Sequence, residues 1–130
     1  MAFEIPLFQI TLPAGADLSS DQFKYVKLNS SGQAILCAAA TDIPIGILQT
    51  KPDAAGEEAT IMVCGISKLS SDAALSIADQ VGTSADGQGD AKIGGTDTTE
   101  YSVGQVIVAS AAAGGLAVVT VNCLNPHRAA

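Results

Sequence analysis

The chain has 130 residues, 48% of them hydrophobic but only 4% aromatic, no Trp, and a formal net charge of -7. That length suits one domain, large enough to fold without disulfides or a structural metal. The acidity argues against a phosphate-backbone binder, which needs Lys and Arg to displace counterions, and gives no attraction to anionic membranes, so neither nucleic acid nor a membrane is an expected partner.

Residues 1–8 read as an extended N-terminal arm, apolar but interrupted by Glu4 and Pro6. The arm lacks a basic n-region, so it does not read as a secretory signal. No apolar run in the chain reaches the about 20 residues that span a bilayer. From Phe8 the pattern alternates, with Phe8, Ile10 and Leu12 on one face and Gln9 and Thr11 on the other, the period of a half-buried strand. Residues 13–21 read as a loop. A strand over 23–28 and another over 34–37 flank Asn29-Ser30-Ser31-Gly32, whose residue types tolerate tight turns, so a hairpin is expected there.

Pro44 opens a strand over 44–49, and 51–58 is a polar turn. Residues 59–65 are apolar at both parities, as in a central strand covered on both faces, and Gly65 marks a bulge or bend before the strand continues over 66–69. Residues 70–79 are the one helix candidate. A short strand over 80–83 leads into 83–100, rich in Gly, Asp, Ser and Thr, which reads as a long loop. Strands over 104–110 and 116–124 follow, joined by Ala111–Gly115 as a hairpin connection, and 125–130 is a tail. About nine short strands with at most one short helix predict an all-β fold, a small antiparallel barrel or sandwich. The expected organisation is the arm at 1–8, a single β-rich domain at 9–124 and the tail at 125–130.

The residues that carry chemistry are few. His127, the one histidine, stands in the tail, and Cys37, Cys64 and Cys123 are too far apart to form a Cys-x-x-Cys pair. Cys123 and His127 are four apart and would need Cys37 or Cys64 to complete a zinc site. Small apolar core cysteines are the simpler reading. Gly65-Ile66-Ser67 opens like a nucleophile elbow, but Leu69 stands where its last glycine belongs. No phosphate-binding P-loop occurs. Asp86-Gly87-Gln88-Gly89-Asp90 is the best cation candidate, yet it matches no EF-hand loop and stands alone without a repeat array. No catalytic residue, cofactor or metal is expected, and the chain reads as a non-enzyme.

Three blocks carry a resemblance: DQFKYVKLNSSGQAILC (21–37), DIPIGILQTKPDAAGEEATIMVCGISKL (42–69) and YSVGQVIVASAAAGGLAVVTVNCLNPHR (101–128). Together they resemble a family of tailed-phage capsid decoration, or cement, proteins, formerly filed as uncharacterised or as RecA/RadA-like recombinases. The missing P-loop removes all weight from the recombinase label. Ile45-Gly46-Ile47-Leu48, a polar turn and the strand ending at Gly65 are also distantly similar to the lambda head decoration protein. The segment 83–100 is longer and richer in glycine than the family pattern.

The resemblance implies a β-tulip-like domain, a homotrimer, the major capsid protein as partner, and a virion protein made in the host cytoplasm that stabilises the outer capsid surface by binding alone. The apolar arm supplies the expected capsid contact: Phe3, Ile5, Leu7 and Phe8. Alternatives are another virion part, such as a tail-tube, connector or fibre-associated module, or, less favoured, a small metal-dependent hydrolase using residues 83–100.

Overall fold

A computed structural model describes residues 3–130, which form eleven strands and no helix. They are β1 (Ile5–Pro13), β2 (Tyr25–Leu28), β3 (Ala34–Leu36), β4 (Gly46–Leu48), β5 (Glu58–Ser70), β6 (Gln80–Thr83), β7 (Gly89–Ala91), β8 (Tyr101–Ser102), β9 (Gly104–Val108), β10 (Leu116–Asn122) and β11 (His127–Arg128). The main sheet runs β3-β2-β4-β5-β10-β9-β6-β7, with β1 added on β5, and β8 and β11 form a separate ribbon. All the strand pairs are antiparallel, and the sheet curls into a half-barrel. The expected all-β antiparallel class is the one observed.

The long β5 holds both halves of the sheet. Its Ile61 and Met62 pair with Leu48 and Ile47 of β4, and its Cys64–Ser70 stretch pairs with Asn122–Leu116 of β10. It is apolar at both parities because both faces are covered. Ala59 and Ile61 join a cluster with Leu18, Val26, Ala34 and Leu48. Met62, Val63 and Leu69 join the larger core with Tyr25, Ile47, Val81, Val119 and Val121.

Met62 and Val63 are adjacent yet serve the same core. The β1–β5 register explains this: it steps from Phe8↔Cys64 to Gln9↔Met62, which leaves Val63 as an extra residue. One extra residue reverses the alternation of a strand and bends it. A compensating extra residue, Leu7, lies on β1 between Pro6↔Gly65 and Phe8↔Cys64. Gly65 sits inside this double irregularity at φ +137, and a β-carbon there would lie 2.6 Å from the Ile5 carbonyl oxygen and 2.8 Å from the Leu7 backbone nitrogen. Close passage of β1 over β5 therefore requires glycine.

The helix candidate is not realised, and two stretches differ from expectation. Residues 70–79 form no helix, because their amides bond outward: Ser71 N–H donates to Gly115, Asp72 to Gly89, Leu75 to Ser110 and Ala78 to Val106. A ten-residue helix has too few internal bonds to compete with such partners. Residues 83–100, expected as a long loop, contain β7 and fold back on the sheet around the fully buried side chain of Lys92. Its ammonium pairs with Glu100, lies 3.5 Å from Asp90 and donates to the Thr83 carbonyl at 2.8 Å. The C-terminal segment is also tied down: His127 and Arg128 pair with Ser102 and Tyr101, and Ala129 is buried.

Substituting Gly65→Ala is expected to cost about 2–4 kcal/mol, since it adds backbone strain to a collision with β1. Urea unfolding measures the loss. A stability unchanged from the parent would contradict the required close passage.

Candidate functional site

The exposed apolar side chains expected at the N-terminus are where the sequence put them, but on a strand. Ile5, Leu7 and Phe8 are 56%, 78% and 47% exposed and belong to β1, hydrogen-bonded to β5, while Phe3 just ahead is half-buried. Ile10 and Leu12, further along, pack on the core clusters, so the strand is anchored at one end and presents apolar surface at the other. The anchored and exposed halves meet at the Leu7 and Val63 irregularities, where inward and outward positions are re-aimed. Glu4 reaches Lys68 of β5 at 3.8 Å, and Lys68 lies 5.3 Å from the centroid of the Phe23 ring.

Among the described residues β1 pairs with β5 alone, so its other edge carries open backbone donors and acceptors. Pro6 and Pro13 cannot donate, which confines the open donors to the stretch from Leu7 to Leu12. This edge can bind; it holds no group that performs chemistry.

A concave feature lies across the sheet. A cavity of 320 Å³ is lined by Gln80 of β6, Gln105 of β9, Thr120 and Asn122 of β10, Asn125 and His127, with Ser102 and Gly104 in its wall. Sequence reasoning missed it, because these residues come from four separate segments and form no motif. His127, expected in a tail, is held in the wall by its pairing with Ser102.

The metal and nucleophile candidates do not assemble. Cys123 joins the buried core, whereas His127 faces the cavity, so the pair four apart in sequence is split between inside and outside. Among the described residues no group of three His, Cys, Asp or Glu side chains comes together to hold an ion. Asp86 is engaged locally: its carboxylate accepts from the Ser84 hydroxyl and the Gln88 amide, and the Ser84 bond is the main cause holding its pKa low. Asp72 moves the other way, raised by burial and then by Asp86 and Asp90.

Cys37 and Cys123 are core residues whose thiols burial pushes from 9.0 up to about 12, a poor setting for a nucleophile or a metal ligand. Tyr25 lies at the same centre, and burial raises its hydroxyl well above its ordinary value, with Cys123 and Cys37 adding to the effect. Among the described residues that hydroxyl has no hydrogen-bond partner. Cys64 is half-buried on the outer face, opposite Phe8.

No family model and no curated protein matches the chain. Among solved structures it is similar to the head fiber gp8.5 N base of bacteriophage phi29, with a TM-score of 0.61 and 13% identity over 89% of this chain and 94% of that one. At that identity the likeness establishes a shared fold.

Two measurements follow from the cysteines. A maleimide is expected to label Cys64 in the native protein, and Cys37 and Cys123 only after unfolding; mass spectrometry of tryptic peptides reads the pattern. The melting temperature is also expected to fall as pH rises from 9 toward 12, because thiols of the unfolded chain ionise near 9.0 while those of the folded chain hold their protons to about 12. Below pH 9 both states keep these protons and the contribution is constant. Replacing both Cys37 and Cys123 with Ala should make the alkaline fall shallower, leaving the part that Tyr25 contributes, and an unchanged slope would contradict the assignment.

Proposed function

We propose that this chain is a structural protein of a phage virion that decorates the outer surface of the head and stabilises it by binding alone. The observation that carries the reading is the exposed apolar half of β1, held on a rigid scaffold beside an open strand edge. Surface of this kind, contiguous and without chemistry, suits contact with another protein. Phe3, Ile5, Leu7 and Phe8 form the contact with the major capsid protein. The fold shared with a part of a phage head fiber supports a place on a virion. The net charge of -7 favours the outer face of a capsid over the side facing packaged nucleic acid. Three copies joined as a homotrimer would present three such strands, so that individually weak contacts act together.

A second reading, a fibre-associated module at the head surface, is favoured by the same structural neighbour. Immunogold electron microscopy separates the two. Dense label over the whole head supports decoration, and a few isolated projections support a fibre.

The docking strand is tested with Leu7→Asp and Phe8→Asp. Each places a charge on exposed surface, so the melting temperature should stay close to that of the parent while affinity for expanded capsids falls about tenfold or more. Removing residues 1–8 should abolish binding. Co-sedimentation that remains at the parental level in all three variants would sink the proposal. Analytical ultracentrifugation tests the trimer.

A further inference from the structure

The cavity between β6, β9, β10 and β11 plays no part in contact through β1, and its chemistry is narrow. Gln80, Gln105, Asn122 and Asn125 bring four carboxamides to one depression, joined by the hydroxyls of Thr120 and Ser102 and the His127 imidazole. Among the described residues no Asp, Glu, Lys or Arg lines it. A carboxamide offers a donor and an acceptor side by side, and a hydroxyl does the same from one atom.

That lining discriminates among ligand classes. An anion finds no Lys or Arg there, in a chain that already carries a charge of -7. A cation lacks carboxylates. An apolar ligand would strip water from the amides and return no hydrogen bonds. A neutral molecule bearing several adjacent hydroxyls, each able to donate and accept, matches the lining group for group.

Part of the wall is fixed in place. Gln105 Nε2 donates to the Ala78 carbonyl at 3.1 Å, which orients the amide, and Gln105 N–H donates to Thr120 Oγ1 at 2.9 Å. A β-carbon on Gly104 would collide with the Thr120 carbonyl, so glycine is what lets β9 approach β10 at this point. The pairing of His127 with Ser102 closes the far side. The volume of 320 Å³ falls within the range of roughly 300–1,000 Å³ typical of small-molecule sites.

We infer that this cavity binds a neutral saccharide unit, held by the amides of Gln80, Gln105, Asn122 and Asn125. The inference stands apart from the capsid reading, because it concerns different residues and a different ligand class.

The test begins with the free protein on an array of neutral and acidic glycans. The best neutral glycan is then titrated into ¹⁵N-labelled protein, with inorganic phosphate and sialyllactose as charged comparisons. The expected result is binding to one class of neutral glycan, with shifts confined to the side-chain amides of these four residues and the His127 ring. Asn122→Ala and Asn125→Ala should each weaken binding about tenfold without changing the melting temperature. Should Asn122→Ala lower the melting temperature, Asn125, which lies outside any strand, carries the test. The proposal is overturned if no neutral glycan binds, if the shifts map elsewhere, if phosphate or sialyllactose shifts the same groups equally, or if both variants bind like the parent.

Discussion

Everything in this molecule is arranged around one strand that serves two partners along a single edge. One edge of β5 is divided between β4 and β10, while β1 runs along the opposite edge. A regular strand could not do this and keep its apolar residues inside, since its alternation would carry them out of one core as it left the other. The extra residue at Val63 reverses the alternation where the partner changes, so Met62 and Val63 both fill the larger core. Each such side chain, fully buried, contributes roughly 1.5–3 kcal/mol, so placing two of them correctly matters to a domain of ordinary stability. Gly65 is the local condition for that arrangement, and it also decides that β1 can lie flat on β5.

Charge is handled by the same economy of position. The chain is acidic overall, yet the fully buried ammonium of Lys92 is surrounded by Glu100, Asp90 and the Thr83 carbonyl. A buried charge that loses its partners typically costs about 3–5 kcal/mol, so Lys92 makes the folded form of 90–100 strongly preferred over an open loop. This is why a segment of loop composition behaves as part of the sheet. Its Gly and Asp residues provide the turns, and the buried ion pair supplies the constraint that turns alone lack.

The sequence made the strand content legible because most strands obey the alternation that one covered face imposes. The two-sided burial of β5 was legible for the same reason, since residues 59–65 are apolar at both parities, and Gly65 signalled the bend. The Asn29–Gly32 turn was legible from its side chains: Asn29 Oδ1 accepts the amides of Ser31 and Gln33 at 2.9 Å. Periodicity could not show the extra residues at Leu7 and Val63, which concern the pairing between strands and not either strand alone. It therefore placed Phe8 with Ile10 and Leu12, whereas Phe8 remains exposed and the other two pack inward. The helix candidate at 70–79 failed because long-range backbone partners, invisible to local propensity, claimed its amides. The amide cavity was hidden for a related reason. Its residues are ordinary outward-facing polar positions until the topology sets four distant segments side by side.

The exposed strand and the cavity are parts of one face, and the register shows how near they are. Directly opposed residues in a sheet point to the same side, so Ile5, Ile66 and Thr120 form one row and Phe8, Cys64 and Asn122 another. Thr120 and Asn122 line the cavity. Strands lie about 4.8 Å apart, which puts β10 about 10 Å from β1. Apolar surface at the sheet edge thus gives way, within two strands, to carboxamides and hydroxyls. The prolines at 6 and 13 bound the open donors of β1, so the edge resists unlimited pairing with other chains while its outward apolar side chains remain available. The rows that begin at Ile5 and Phe8 thus end at Thr120 and Asn122 on the same side of the sheet, apolar at one end and polar at the other.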